Sequence, residues 1–305
     1  MEIISVTKIW DQGEHNAFTD LTAFNGALYC VFREGSAHVS PDGALRILKS
    51  CDDGETWHSS ALITSAEADL RDGKLVVFQQ QLYLFGGATL HNKSEQNLQS
   101  YYWQSKDGKH WSSGQGLAGK DEWLWRVTEH EDCLYGVAYH PNEHHGYVAL
   151  YRSDDGQQYT QLKPRLNQSG YVNESGLVFD CEGKAWCLLR RDPLWQTDER
   201  ALLGEANPPY TSWQWHVLDK RIGGPVNFIW QGRHFAVVRL YDECVRTSIV
   251  EVLPSKAELI ECLTLPSGGD TSYAGIIVTE EVLRISYYSS HEGKCAIYFA
   301  KVLLC

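Results

Sequence analysis

The feature that most constrains the fold is a short turn motif that recurs along the first half of the chain. Its fullest copy is S-C-D-D-G-E-T-W at residues 50–57, and shorter copies lie at 105–111 and 153–159. The copies begin 55 and 48 residues apart. Ser and Asp side chains that bond nearby backbone N–H groups, followed by Gly at a positive φ, are typical of a β-hairpin tip. We therefore expect each copy to join two antiparallel strands.

Short apolar segments of strand length lie between these turns. Examples are A-L-Y-C-V-F at 27–32, L-V-V-F at 75–78 and Y-V-A-L-Y at 147–151. Their β-branched and aromatic residues favour strands, and no segment has a helical period of useful length. A repeat of roughly 50 residues made of four strands is typical of a propeller blade. The sequence therefore predicts an all-β protein.

Applied to the whole chain, this repeat predicts a six-bladed β-propeller in a single domain spanning residues 1–305. The last repeat, residues 269–305, supplies only three strands, whereas residues 2–10 form a strand left over at the other end. We expect this N-terminal strand to complete the sixth blade, because closing the ring removes exposed sheet edges. The six inner strands are predicted to start near Asp20, Asp72, Arg126, Glu174, Val226 and Tyr273.

Composition and charge exclude several kinds of partner. The chain contains 11 Trp and 16 Tyr and is too rich in aromatic residues for a disordered protein. Its formal net charge is −12 and it has no long run of Lys or Arg, so nucleic acid is not an expected partner. No segment approaches the about 18 continuous apolar residues of a membrane span, so no membrane contact is expected. A net negative charge still allows a local cluster of arginines to attract an anion.

The nine cysteines are odd in number and dispersed, and they form no C-x-x-C pair that would indicate a zinc or redox site. No metal or other cofactor is expected. Residues 1–15 lack the basic region and apolar stretch of a signal peptide. We interpret the cysteines as free thiols of a cytoplasmic protein. His144 and His145 are interpreted as part of a surface turn, and the sequence does not indicate an oligomeric state.

The S-x-D-x-G-x-x-W motif resembles the Asp box of the sialidase, or BNR-repeat, superfamily of six-bladed propellers. A set of residues in the second half of the chain is also similar to the sialidase site. Sialidases place a Glu at an inner strand start, an Arg at the end of the next strand, another Arg in the following blade, and then a Tyr. Here Glu174 precedes Arg190 by 16 residues, and Arg239 precedes Tyr273 by 34.

The first half of the chain departs from the sialidase pattern. Sialidases carry their first carboxylate-binding arginine in an R-I-P motif at the opening of blade one, and the corresponding segment here is F-T-D-L at 18–21. Arg33, Arg71 and Arg126 are the candidates for the vacant place. The segments F-R-E-G, W-L-W-R and S-Y-Y-S-S-H resemble a sialidase-related branch of uncharacterised proteins.

The resemblance implies that Tyr273 is the nucleophile and that Glu174 removes its phenol proton. The alternative is that Tyr273 is a packed aromatic and Glu174 a channel-lining carboxylate. The general acid needs a carboxyl group over the cleft, and Asp72 is slightly preferred to Asp20. Asp42 lies in a P-D-G turn, for which hairpin chemistry is the stronger interpretation.

The predicted substrate-binding residues would hold an anionic group and a sugar ring. Arg190 and Arg239 would bind a carboxylate or sulfate through paired charge-assisted hydrogen bonds, unless they are structural ion-pair partners. Trp125 would stack on a sugar ring or pack in a blade core. The remaining candidates for substrate contact, with weaker support, are Arg33, Arg126, Asp20, His38 and His291.

These residues predict an exo-acting glycoside hydrolase for a small, acidic glycan. One alternative is a non-catalytic carbohydrate-binding or interaction propeller. Another is a polysaccharide lyase, in which Tyr and His would remove a proton α to a uronate carboxylate and leave an unsaturated sugar that absorbs ultraviolet light. Because the first sialidase arginine is missing, simple sialosides are expected to be poor substrates.

Overall fold

The computed structural model describes residues 1–141, 146–194 and 198–305. Across these residues, 24 strands form six four-stranded antiparallel sheets and no helix is present. The first strands of successive blades contact one another around a ring, and the first strand of blade six contacts that of blade one. The predicted six-bladed β-propeller is therefore confirmed. His144 and His145 lie outside the described residues.

The first three blades each run from an inner strand outward in chain order. Blade one contains β2 (His15–Phe24), β3 (Ala27–Gly35), β4 (Ala44–Ser50) and β5 (His58–Ile63). Blade two contains β6 (Ala68–Phe78), β7 (Gln81–Leu90), β8 (Leu98–Ser105) and β9 (Gln115–Leu117). Blade three contains β10 (Trp123–His130), β11 (Cys133–His140), β12 (Tyr147–Ser153) and β13 (Thr160–Asn167).

Blades four and five follow the same order, whereas blade six takes its outer strand from the start of the chain. Blade four contains β14 (Tyr171–Phe179), β15 (Ala185–Asp192), β16 (Leu202–Ala206) and β17 (Gln214–Val217). Blade five contains β18 (Ile222–Trp230), β19 (Arg233–Leu240), β20 (Arg246–Leu253) and β21 (Glu258–Thr264). Blade six contains β22 (Thr271–Val278), β23 (Val282–Ser289), β24 (Ala296–Leu303) and β1 (Glu2–Trp10).

The N-terminal strand closes the ring as predicted. β1 pairs antiparallel with β24, from Glu2 opposite Leu303 to Trp10 opposite Ile297. This pairing occupies an edge of β24 that would otherwise present unpaired N–H and C=O groups. No helix long and apolar enough to cross a membrane occurs in the part of the chain that the structure describes.

The recurring turns join the third and fourth strands of the first three blades, which confirms that each connects antiparallel strands. In the first copy, Gly54 N donates to Ser50 Oγ at 2.8 Å, and Ser50 Oγ donates to Asp52 Oδ1 at 2.8 Å. Gly54 has a φ of +86°, and a Cβ there would lie 2.3 Å from the ring of Phe299 in the preceding blade. The other two copies place their glycines against aromatics of the preceding blade in the same way: Gly108 against Tyr29, and Gly156 against Tyr83.

Every inner strand has a register shift, and each shift lies near the residue that the sequence predicted as the start of that strand. The shifts lie between Ala17 and Asp20, Arg71 and Lys74, Leu124 and Arg126, Val172 and Ser175, Gly223 and Val226, and Ser272 and Gly275. Phe18, Asp72, Gly224 and Tyr273 have φ values of 62°, 54°, 54° and 50° within these bulges. A bulge bends the strand and redirects a side chain. The six bulges therefore supply the positions from which a site near the axis is built.

Gly275 shows how closely blades one and six approach each other. A Cβ at this position would lie 2.0 Å from Leu21 N and 2.4 Å from the carbonyl carbon of Asp20. Because both neighbours are backbone atoms, Gly275→Ala is expected to lower the free energy of unfolding by about 3 kcal/mol. Urea denaturation measures this loss. Gly116→Ala is the control, since its Cβ would have no neighbour within 3.4 Å; an equal loss in both variants would contradict the close-approach argument.

Candidate active site

A cavity of about 360 Å³ lies where the inner strands of blades one, two, three, four and six converge. Its volume lies at the lower end of the range for small-molecule sites. The side chains that line it are mainly aromatic or charged. They include Phe18, His38, Arg71, Asp72, Trp123, Tyr139, Tyr171, Asn173, Glu174, Arg190, Asp192 and Tyr273.

Tyr273, Glu174 and Arg190 form one hydrogen-bonded group in this cavity. The Tyr273 hydroxyl donates to Glu174 Oε1 at 2.6 Å. Arg190 Nη1 donates to Glu174 Oε1 and to the Tyr273 hydroxyl, both at 2.8 Å. Gly224 N donates to Glu174 Oε2 at 2.8 Å, so both oxygens of this carboxylate are held. A phenol that donates to a fixed carboxylate has the geometry of a nucleophile with its base.

The surroundings of Tyr273 keep its phenol neutral at rest. Burial raises the pKa of Tyr273 well above its ordinary value, and the charge of Glu174 raises it further. The charges of Arg190 and Arg239 act in the opposite direction, and the Arg239 guanidinium lies 4.9 Å from the Tyr273 ring centroid. The phenol therefore needs a base to accept its proton during a reaction, and Glu174 is in position to do so.

The Tyr273 ring is fixed by its backbone and by aromatic neighbours. Its backbone carbonyl accepts a hydrogen bond from Thr19 Oγ1 at 2.9 Å, which ties β22 to the first inner strand. Ring centroids of Phe18, Trp125 and Tyr288 lie 5.1, 5.5 and 5.8 Å from that of Tyr273. These contacts do not involve the hydroxyl oxygen. The ring position therefore does not depend on the group that would react.

Asp72 places a second carboxyl group in the cavity. Its side chain is buried at the bulge of β6, and this burial raises the pKa of Asp72 to about 6. The nearby charges of Arg71 and Lys74 limit the increase, whereas that of Glu174 adds to it. A carboxyl group with this pKa is protonated in part near neutral pH, which suits a general acid.

Asp42 has a different environment, as its turn sequence suggested. It lies outside the cavity lining and accepts hydrogen bonds from Ser36 N at 3.1 Å and from Ser36 Oγ at 3.0 Å. Hydrogen bonds from Ser40 and Ser36 lower the pKa of Asp42 to about 2. The Asp42 carboxylate stabilises a loop through these hydrogen bonds. Because its pKa is low, it is ionised near neutral pH and is not a suitable proton donor.

Arg190 is paired with a carboxylate that the sequence interpretation missed. Its Nε and Nη2 donate to Asp192 Oδ1 at 3.2 and 3.0 Å. Asp192 also accepts from Arg221 Nη2 and from Asn173 Nδ2, both at 2.8 Å. Burial acts to raise the pKa of Asp192, but Arg190, Arg221 and Asn173 outweigh it and the pKa lies below its ordinary value. Asp192 is therefore the ionised partner of Arg190.

Arg239 has an equivalent internal partner in Asp270. Arg239 Nη2 donates to Asp270 Oδ1 at 3.1 Å and to the Tyr288 hydroxyl at 2.7 Å, and Nε donates to Thr271 O at 2.7 Å. The Tyr288 hydroxyl donates to Asp270 Oδ1 at 2.7 Å. Arg239 is thus oriented by blade six while its guanidinium lies over the Tyr273 ring.

His38 lines the cavity at its exposed side and contacts this network. His38 Nδ1 lies 2.7 Å from Asp270 Oδ2, and its ring centroid lies 5.2 Å from that of Phe18. Potential ligand atoms of His15, Asp270 and Cys295 lie within 4.8 Å of one another. Because burial raises the pKa of the Cys295 thiol to about 12 and Asp270 is bonded to Arg239, we interpret this group as a support for Arg239.

Most of the predicted substrate-binding residues do not line the cavity, and Arg239, whose guanidinium lies over the Tyr273 ring, is one of them. Arg33 is fully buried and donates to Asp69 Oδ1 at 2.8 Å. Arg126 donates to Asp20 Oδ1 at 2.8 Å, and Asp20 Oδ2 accepts from a backbone N–H. Trp125 is buried against the Tyr273 ring. The positions of Arg33, Arg126, Asp20 and Trp125 therefore differ from the predicted contact with substrate, because their polar or aromatic surfaces are taken up by the protein itself.

Arg71 is the arginine of the first half that the structure brings to the cavity. Its guanidinium carbon lies 5.1 Å from the ring centroid of Phe18, the residue that stands near the missing R-I-P arginine. Its Nη1 lies 3.7 Å from Asp69 Oδ2. His291, in contrast, does not line the cavity, and its Nδ1 lies 2.8 Å from Ser289 Oγ.

Known structures share this fold at low sequence identity. A protein of unknown function from Dyadobacter fermentans aligns with a TM-score of 0.85 and 16% identity over 99% of each chain. An α-L-arabinofuranosidase from Fusarium graminearum, solved with an iminosugar inhibitor, aligns with a TM-score of 0.76 and 14% identity over 100% of this chain and 99% of that one. The sialidase of Trypanosoma rangeli, solved as a covalent intermediate with 2,3-difluorosialic acid, aligns with a TM-score of 0.73 and 12% identity.

The sialidase alignment covers 99% of this chain and 58% of the sialidase. No profile of a known protein family matches the chain, and no curated protein matches it in sequence. At these identities the likeness establishes the fold alone. The sialidase-like propeller fold is therefore shared, whereas the particular sialidase-related branch stays a prediction.

Proposed function

We propose that this protein is an exo-acting glycoside hydrolase for a small glycan. The observation that carries the proposal is the group formed by Tyr273, Glu174 and Arg190, with the phenol donating to the carboxylate at 2.6 Å. Asp72 lines the same cavity and has a pKa raised to about 6. Structural likeness to a sialidase and to an arabinofuranosidase supports chemistry on sugars in this fold.

In the first step, Tyr273 Oη attacks the anomeric carbon while Glu174 accepts the phenol proton. The bond from the anomeric carbon to the leaving oxygen breaks, and Asp72 donates its proton to that oxygen. Arg190 Nη1 donates to both Tyr273 and Glu174, so it stabilises the charge that develops between them. This step yields a glycosyl-tyrosine intermediate.

In the second step, water replaces the tyrosine. Asp72, now ionised, accepts a proton from the attacking water, and the bond from the sugar to Tyr273 Oη breaks. Glu174 returns the proton to the phenolate, which restores the starting state. Two displacements at one carbon give net retention of configuration.

Both oxygens of Glu174 already accept hydrogen bonds, from Gly224 N on one side and from Arg190 and Tyr273 on the other. The oxygen that accepts from Tyr273 lies 2.6 Å from the phenol oxygen, so Glu174 is placed to take the phenol proton and to act as the base, with Tyr273 as the nucleophile.

A panel of aryl glycosides with neutral and acidic sugars tests the proposed function. Release of the aryl alcohol with retention of configuration is the expected result. Formation of an unsaturated product that absorbs in the ultraviolet would indicate the lyase alternative, with Tyr273 and His38 as the nearest candidates. Sugar binding without turnover on any member of the panel would favour the non-catalytic propeller.

The pKa of Asp72 predicts how the rate changes with pH. The proton donor is the protonated form, which is present below the pKa of about 6 and lost as the pH rises through it. We expect kcat/KM to fall above about pH 6 for substrates with poor leaving groups. Asp72→Asn should remove this descending limb and slow poor leaving groups more than activated aryl groups. A descending limb that persists in Asp72→Asn would show that another group is the acid.

A further inference from the structure

We infer that the sugar bound in this cavity is neutral, because Asp192 of this chain already occupies the guanidinium of Arg190 at the cavity wall and Asp270 pairs with that of Arg239 beside Tyr273. The inference rests on the proposed function and concerns its substrate class. It replaces the acidic glycan that the sequence predicted from the same two arginines.

The donors of Arg190 are taken up by the protein. Nε and Nη2 both donate to Asp192 Oδ1, at 3.2 and 3.0 Å, so the edge of the guanidinium that a bound carboxylate would use is already occupied. Nη1 is shared between Glu174 and Tyr273. A substrate carboxylate would therefore have to displace Asp192, which Arg221 and Asn173 also hold at 2.8 Å.

Two nitrogens of Arg239, a residue that does not line the cavity, are also engaged within the protein. Its Nε and Nη2 donate to Thr271 O, Asp270 Oδ1 and the Tyr288 hydroxyl, at distances of 2.7 to 3.1 Å. The pKa of Asp270 lies well below its ordinary value, because hydrogen bonds and the charge of Arg239 together outweigh the effect of burial. The positive charge of Arg239 is thus balanced before any ligand binds.

The charge of the cavity wall leads to the same conclusion. Two arginines, Arg71 and Arg190, face three carboxyl groups, those of Asp72, Glu174 and Asp192. These five groups together are neutral when Asp72 is protonated and carry one negative charge when it is ionised. Such a wall does not concentrate anions, and an acidic sugar would meet the charge of the internal carboxylates.

Groups suited to a neutral sugar remain. Trp123 and Tyr139 lie almost parallel, at an interplanar angle of 10° and a centroid distance of 6.1 Å, and both line the cavity. Aromatic faces bind the apolar faces of sugar rings, and the guanidinium of Arg71 can bond to hydroxyl groups.

The inference is tested by binding of two matched pairs of sugars: methyl glucoside with methyl glucuronide, and methyl galactoside with methyl galacturonide. Each pair differs only in a carboxylate, and the affinities are measured by ligand-observed NMR at pH 7. For the wild-type protein, we expect the uronate to bind about tenfold more weakly than its neutral partner, or not at all. Tighter binding of either uronate would overturn the inference.

Two variants release the arginines with little change in side-chain shape. Asp192→Asn and Asp270→Asn each remove the charge of a carboxylate that pairs with one of the two guanidinium groups, and at least one variant should bind a uronate about tenfold more tightly than the wild-type protein does. Asp53→Asn is the control, because Asp53 makes a similar pair with Arg284 at 2.6 and 3.0 Å outside the cavity and the change in net charge is the same. Thermal unfolding shows whether each variant is folded.

Unchanged uronate affinity in both folded variants would overturn the inference, as would an equal gain in Asp53→Asn. A wild-type protein that binds none of the four sugars still leaves the gain in the variants as the deciding measurement. Failure of the proposed function has a different result, namely no hydrolysis of any glycoside, and it leaves the binding comparison intact.

Discussion

Tyr273→Phe is expected to reduce kcat for glycoside hydrolysis by about 10³-fold or more, because the nucleophilic oxygen is lost. Substrate affinity should change only a few-fold, since the ring keeps its contacts with Phe18, Trp125 and Tyr288. Steady-state kinetics on the best substrate of the panel measures kcat, and binding to the inactive variant measures the affinity.

Tyr287→Phe is the matched control for this loss. Tyr287 is the residue before Tyr288, is fully buried, and donates to Pro266 O at 2.9 Å away from the cavity. Its removal should cost about 1 kcal/mol of stability and leave turnover unchanged. Full activity in Tyr273→Phe would exclude the tyrosine mechanism and leave Glu174 and Asp72 as a conventional carboxylate pair.

If the glycan is neutral, no substrate carboxylate would repel an attacking carboxylate. Whether Tyr273 or Glu174 is the nucleophile must then be measured directly. Trapping with a fluorinated glycosyl fluoride of the best sugar, followed by peptide mapping, answers it directly. A label on Tyr273 is the expected result. A label on Glu174 would retain the hydrolase but assign the nucleophile to the carboxylate and the supporting hydrogen bond to the phenol.

Glu174→Gln is expected to lower kcat by a factor of about 10² to 10⁴. The amide of Gln cannot accept the phenol proton. Arg190 and Tyr273 now donate hydrogen bonds to Glu174 Oε1, and an NH2 group at that position would face these two donors with donors of its own. Because the base and the nucleophile act as a unit, the double variant with Tyr273→Phe should be no slower than the more damaging single change.

Glu251→Gln provides the comparison on the outside of blade five. Glu251 accepts from Arg233 in an exposed bidentate pair, so the substitution removes the same charge from an ion pair far from the chemistry. Turnover should be unchanged in this variant. Additive losses in the double variant of Glu174 and Tyr273 would contradict a shared role and indicate two separate functions.

The number of blades was predictable because a local sequence pattern of turn residues and short apolar runs recurs along the chain. Turn residues such as Ser50 and Gly54 mark the hairpin tips, and short apolar runs mark the strands between them. The predicted starts of the inner strands fall at the observed bulges, because polar or conformationally unusual residues interrupt the apolar pattern there. A period of this kind survives where sequence identity to known propellers is below a fifth.

The hydrogen-bonded group in the cavity was predictable in part, from the order and spacing of Glu174, Arg190 and Tyr273 along the chain. Their meeting follows from the bulges of blades four and six, which direct both side chains into one cavity. The hydrogen-bond partners of Arg190 and Arg239 could not be derived in this way. A spacing shows that an arginine reaches the site but does not show which acceptor it meets there.

Asp192 and Asp270 are two carboxylates near the site that were not predicted from the sequence. Asp192 follows two arginines on β15, and its position two residues after Arg190 puts it on the same face of the strand, which is a usable pattern. Asp270 follows two glycines and is typical of a turn, and its contact with Arg239 joins residues 31 positions apart. Only the three-dimensional arrangement shows that these carboxylates pair with Arg190 and Arg239.

The pairing of β1 with β24 has a consequence for how this protein is made. β1 leaves the ribosome before any of the other strands, whereas its partner β24 is the last of them to appear. Until then β1 has no edge of blade six to join. A growing chain therefore carries β1 unpaired until all of the other described strands have been made. The cavity takes Phe18 from β2 of blade one and Tyr273 from β22 of blade six, so it too forms only late in the order of the described strands.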